Sequence, residues 1–230
     1  MRINKKLCAA LMAGVSLGMA GQAAAVEKGD WLFHVRGINI NPNDDSSPLR
    51  IDGSLVAGTR VGVDSSNSLD LSLAYMLTDN VAVELLADPS SRHEVFVSGL
   101  PAELNVPDGT QVAKVNVLPP TVFLQYHFNP TGTIRPYAGL GLNYTLFFNK
   151  DLTPVAQAAL GASRLDLDNS VGLAGQVGVD FAMHNNWSFN VDVKYIQIDS
   201  EASFDSALGR VSVDVDINPM VIGVGFGKTF

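Results

Sequence analysis

The feature that most restricts this chain is an alternation of period two that recurs along its length and is still running at its last residue. In residues 220–230 (MVIGVGFGKTF), Met220, Ile222, Val224, Phe226 and Phe230 share one face, while Val221, Gly223, Gly225 and Gly227 share the other. Successive side chains of a strand point to opposite faces, so this strand is greasy on one side and nearly bare on the other. Such a stave suits the wall of a small closed barrel, apolar toward lipid and glycine-lined toward a crowded interior. The terminal aromatic ring fits too, since aromatic residues gather where a membrane barrel meets water.

Other runs read the same way. Residues 29–40 set Trp31, Phe33 and Val35 against Leu32, His34 and Arg36, and residues 68–75 set Leu69, Leu71, Leu73 and Tyr75 against Ser68, Asp70, Ser72 and Ala74. Residues 81–87 place Val81, Val83 and Leu85 opposite Glu84; residues 114–128 place Val122, Leu124, Tyr126 and Phe128 opposite Thr121, Phe123, Gln125 and His127. Residues 135–148, 171–181 and 187–195 continue the pattern, the last two with Asp180, Asp192 and Lys194 on the side away from the apolar face. None shows a helical period, and each has the length of a strand. The final strand begins at Val211, but Val211, Val213, Val215 and Ile217 have the opposite parity to residues 220–230, which predicts a bulge near Asn218 and Pro219.

The connections alternate in length. Thr78-Asp79-Asn80, residues 129–133 and His184-Asn185-Asn186 are tight turns, whereas residues 41–54, 88–112, 149–168 and 199–209 read as long loops. Within them, residues 93–97 would extend the third strand, and residues 153–161 (TPVAQAALG) would form a short helix with Pro154 in its first turn. The prediction is an all-β fold: an eight-stranded antiparallel up-and-down transmembrane β-barrel with short periplasmic turns and long extracellular loops. Trp31, Tyr75, Phe128, Tyr137, Phe181, Trp187 and Phe230 fall at the short-turn ends and would form a periplasmic girdle.

The N-terminus adds a compartment. Arg2, Lys5 and Lys6 precede an apolar run over residues 7–20, and Ala23-Ala24-Ala25 suits signal peptidase, so residues 1–25 read as a signal peptide and 26–230 as an outer-membrane barrel domain. The run is too short to cross a bilayer comfortably. Cys8, the one cysteine, would leave with the signal, so no disulfide is expected. Removal of three basic residues leaves 12 against 23 acidic ones, which disfavours nucleic acid as a partner. The ordinary explanation of the acidity is solvation of exposed loops.

Several stretches together resemble the OmpW family of Gram-negative outer-membrane proteins: residues 75–87 (YMLTDNVAVELLA), 118–121 (LPPT), 135–148 (RPYAGLGLNYTLFF), 172–181 (GLAGQVGVDF) and the terminal strand. Their joint order covers most of the chain beyond the leader. The resemblance implies an eight-stranded barrel with a narrow, partly hydrophobic lumen, uptake of small and often apolar molecules, and sideways release through the wall. It also implies contact with the outer-membrane assembly machinery through the C-terminal strand, where Lys228 stands in place of an expected aromatic residue.

Candidate site residues follow from parity. Leu86, Phe123 and Phe147 point inward on strands whose other inward residues are polar, and would contact a greasy solute or fill space. His34, Arg36, Asp70, Glu84, Asp180, Asp192 and Lys194 project inward with both signs present, and are expected to pair as a salt-bridged plug, because an unpaired charge in a narrow lumen is costly. Inward glycines at 139, 141, 172, 178, 223, 225 and 227 would ease close backbone approach or open a conduit. Pro89 cannot donate to a ladder and would leave a gap in the wall or simply end its strand. His34, His93, His127 and His184 are scattered and no HExxH or GxSxG occurs; His93 and Glu94 beside Ser90 and Ser91 are the one arrangement that suggests acyl transfer.

The expectation is therefore a Gram-negative outer-membrane barrel, exported by its signal peptide, that passively admits small hydrophobic solutes, touches outer-membrane lipid and needs no cofactor or metal. Two alternatives stay open. One is a non-conducting barrel whose extracellular loops bind partners, phage or bacteriocins; the other is a lipid-modifying barrel enzyme.

Overall fold

The computed structural model describes residues 25–89 and 91–230, so the expected signal peptide lies almost entirely outside the described residues. Eight strands close into a barrel: β1 (Trp31–Asn41), β2 (Ser66–Met76), β3 (Val81–Ala87), β4 (Thr121–His127), β5 (Ile134–Leu152), β6 (Ser170–Ala182), β7 (Trp187–Ile196) and β8 (Met220–Thr229). Each pairs antiparallel with its sequence neighbours, and β8 pairs with β1 to complete the ring. The seam between first and last strand is sealed at the short-turn end by reciprocal bonds, from the Trp31 amide to the Phe230 carbonyl (3.1 Å) and from the Phe230 amide to the Trp31 carbonyl (2.9 Å).

The period-two pattern becomes the two faces of this wall. On β1, Leu32, His34, Arg36, Ile38 and Ile40 are buried while Trp31, Phe33 and Val35 are exposed; on β2, Leu69, Leu71 and Leu73 face out while Asp70 and Ser72 are buried. The outward apolar side chains form the band that lipid would cover. At the short-turn end Trp31 packs on Tyr75, and Tyr126 on Phe128. Tyr137 corrects the expected girdle. It stands opposite the inward-facing His127, stacks on that ring, and is 3% exposed. Its parity matches that of Gly139 and Gly141, and the side chain follows its parity rather than its place near a strand end. A Cβ at Gly178 would overlap the Tyr137 ring, so this glycine provides room for a packed neighbour rather than open space.

The long connections also depart from the sequence reading, because most of their length is strand. Beyond the barrel, Ser91–Ser98 pairs with Thr110–Leu118, which pairs in turn with the upper part of β5 and has a register shift between Phe148 and Asp151. Arg60–Val63 adds an edge to this first flap. A second flap joins Ser163–Leu167, Asp199–Ser206, Gly209–Asp216, Arg50–Ile51 and Ser54–Leu55, with Asp45–Ser46 alongside. Leu49, Val97, Val211, Val213 and Val215 form an apolar core between the flaps. Polar outer faces hid these strands: Asp199–Ser206 reads DSEASFDS, and from it Ala202 and Phe204 pack against that core. The last strand does not begin at Val211 with a bulge near Asn218 and Pro219: Gly209–Asp216 is a separate strand of the second flap, and the chain breaks before β8, with Asn218 at a φ of 40° between Asp216 and Met220. The short helix is present as well. α1 (Pro154–Leu160) is capped by the Thr153 hydroxyl, which accepts from the Ala156 amide, and ends at left-handed Gly161.

Candidate functional site

Along the barrel axis the interior falls into layers. At the short-turn end Val26, Leu32, Ala74, Met76 and Ala82 form an apolar stopper, held partly by the bond from the Val26 amide to the Pro130 carbonyl. Above it lies a charged layer. Arg36, 1% exposed, donates to Asp70 at 2.8 Å, to Asn190 at 2.7 Å and to Ser72 at 3.2 Å, and pairs with Glu84 at 3.4 Å and Asp192 at 3.3 Å. Lys194 donates to Asp70 at 2.9 Å and to Asp192. His34 and Asp180 pair at 3.1 Å, and Asp180 also accepts from Ser188 and Asn190. The amides of Gln125 and Gln176 each donate to Glu84 at 2.8 Å.

These residues come from six different strands, yet strict alternation delivers every one to the interior at similar height. The guanidinium supplies five donors in a fixed fork, which suits a ring of carboxylates. All seven charged residues singled out from the sequence are buried in this layer. Parity did not single out the neutral groups that satisfy the network, among them Ser72, Gln125, Gln176, Asn190 and the Tyr137 hydroxyl, which accepts from Asn190 at 3.2 Å. Their inward parity was the available signal, but a polar neutral residue carries no mark separating it from ordinary lumen filler.

Directly above the charges the lumen turns apolar. Leu86, Val115, Val117, Phe123, Phe147, Ala174, Ile196 and Ile198 form one cluster, with Ile38, Ile40 and Val221 beside it. They surround a cavity of about 90 Å³ lined by Leu86, Phe147, Ile38, Ile40 and Ile196, with Lys194 in its lining. Phe123, fully buried, packs within the cluster without lining the cavity. Asp88, His93 and Ser200 are polar members of the lining.

Beside this cavity the wall changes. The β2–β3 ladder ends at Leu71 opposite Ala87, and after Pro89 the chain resumes as Ser91–Ser98, which pairs away from β2. Residues 66–70 of β2 thus have a strand partner only on the β1 side among the described residues. Side chains bridge the resulting seam: the Ser68 hydroxyl donates to Asp88 at 2.5 Å, and His93 Nε2 lies 3.5 Å from the Ser66 hydroxyl while Nδ1 lies 3.2 Å from the Asp64 carbonyl. Burial lowers the pKa of His93, with the Asp64 carbonyl opposing, so the ring is held neutral near pH 7. Ser91 donates to the Val117 carbonyl rather than to His93, and Glu94 pairs with Lys114 at 3.0 Å, so His93, Glu94 and Ser91 do not assemble the suggested acyl-transfer arrangement; Ser90, its other member, lies outside the described residues.

The OmpW family model matches residues 27–230. The chain belongs to the OmpW family. Outer membrane protein W of Vibrio cholerae is 36% identical over 207 residues, covering 90% of this chain and 91% of that protein. The crystal structure of OprG from Pseudomonas aeruginosa superposes with a TM-score of 0.84 at 36% identity, covering 90% of this chain and 98% of that one. The dibenzothiophene metabolism operon protein PahQ of Pseudomonas aeruginosa is 23% identical over 206 residues, covering 89% of this chain and 90% of that protein. Membership of the OmpW family places the protein in the Gram-negative outer membrane, with its short turns toward the periplasm. These relatives are named as outer-membrane or operon proteins rather than as enzymes.

Proposed function

We propose that this OmpW-family barrel is a passive route for small apolar solutes, which descend between the flaps into the apolar cavity and leave sideways through the seam at Pro89 into the bilayer. One observation carries the reading: the cavity lies between a paired, buried charged layer below and a side-chain-bridged seam beside it. Moving a solute down the axis would mean breaking several buried ion pairs, each costing about 3–5 kcal/mol if one partner is lost. Parting two side-chain bridges at the seam costs far less. The name of the PahQ relative, tied to metabolism of an apolar polycyclic aromatic compound, supports the same solute class.

The test uses refolded protein in liposomes, with uptake of an apolar and a small polar solute measured against protein-free vesicles. Ser68→Cys with Asp88→Cys places two thiols where the hydroxyl and carboxylate now touch. Oxidation should reduce apolar flux to the protein-free level, and reductant should restore it. Flux indifferent to the cross-link would reject the sideways route. A folded natural chain with no flux would reject the conduit. The stopper and charged layer, which close the lumen at two levels, favour a non-conducting barrel with partner-binding loops as the second reading.

A further inference from the structure

We propose that the cavity prefers neutral apolar molecules bearing a single hydrogen-bond-accepting oxygen at one end, such as an aldehyde or ketone, seated with that oxygen on the Lys194 ammonium. This rests on reading the cavity as the solute station. Lys194 belongs to two environments at once: it lines the cavity, and it is anchored in the charged layer at 1% exposure. An ammonium has three N–H donors. Asp70 takes one at 2.9 Å and Asp192 takes another, leaving a third without a protein acceptor among the described residues. Most of the cavity wall is hydrocarbon, from residues such as Ile38, Leu86, Phe147 and Ile196, which cannot accept it.

Each of the other polar groups in the lining has a protein partner of its own. Asp88 accepts from Ser68, His93 faces Asp64 and Ser66, and the Ser200 hydroxyl donates to the Asp168 carbonyl at 2.7 Å. A solute oxygen meeting the third N–H gains a charge-assisted bond that a hydrocarbon cannot make. Charge then decides between neutral and anionic oxygen. Arg36 and Lys194 stand against Asp70, Glu84 and Asp192 in one connected network, leaving a negative charge in excess. A carboxylate entering this confined space meets that excess and is disfavoured, whereas an aldehyde or ketone is not.

The experiment places the natural chain in lipid nanodiscs and follows the methyl resonances of Ile196 and Leu86 during titration with toluene, benzaldehyde and benzoate. After correction for partition into lipid, benzaldehyde should bind at least about tenfold more tightly than toluene, and benzoate should leave the resonances unmoved. In Lys194→Met the advantage of benzaldehyde should vanish while toluene still binds. Should that variant fail to fold, the order of the three probes on the natural chain decides. Toluene equal to benzaldehyde, or benzoate binding first, would overturn the proposal and leave the conduit reading intact. No movement with any probe would overturn both.

Discussion

Arg36 shows what a single inward residue does in a lumen this narrow. Three other strands, β2, β3 and β7, contribute its acceptors, so the side chain ties the wall together across the lumen. Arg36→Met would leave Asp70, Glu84 and Asp192 without their shared cation, and is expected to cost about 3–5 kcal/mol in urea titrations of the folded barrel in lipid vesicles. Loss below about 1 kcal/mol would mean that water already screens the layer. The charged residues were legible because alternation fixes direction once a run is recognised, and an inward charge with no partner is too costly to keep. Tyr137 was misplaced for the opposite reason: its position near a strand end was given more weight than its parity. The specific pairings were not legible, since parity gives height and direction but not which strand lies across the lumen.

At the scale of elements, the staves were readable and the flaps were not. A lipid-facing strand must be apolar on every outward position, which writes a strong pattern; a strand above the membrane faces water and alternates between polar residues and a few modest apolar ones. Thus DSEASFDS reads as a loop and folds as Asp199–Ser206, while Thr153 and Gly161 made α1 readable through its caps. The flap strand Ser91–Ser98 carries a pH dependence of its own through His93. Its folded pKa is lowered by burial from the ordinary 6.5, so the unfolded chain binds more protons in the window just below that value. The stability His93 confers is fully present above about pH 6.5 and is lost as pH falls toward the folded value. Amide protection factors across residues 91–98 should fall on acidification from about pH 7 to about pH 5, and His93→Gln should abolish most of that fall. Protection that falls equally in the variant would assign the effect to other groups.

For the molecule as a whole, the layered interior sets the direction of any traffic. An apolar stopper, a charged layer and an apolar cavity follow one another along the axis, and the interruption of the ladder starts at the upper edge of the charged layer, at Asp70, and continues beside the cavity, well away from the stopper. The cross-link between positions 68 and 88 therefore tests the architecture more than either residue, because it closes one side of the cavity while leaving the charged layer in place.

The reciprocal bonds between Trp31 and Phe230 carry a consequence for how the molecule comes into being. The first stave finds one of its two partners only in the last, so until residues 220–229 arrive the nascent sheet has two raw edges and no inside. Closure is then a single late event rather than a gradual gain. Deleting β8 should abolish the heat-resistant folded form outright in gel-shift assays of refolding, whereas trimming the flap turn around Leu208 should leave it unchanged. The presence of one strand thus stands for the completeness of the whole cylinder.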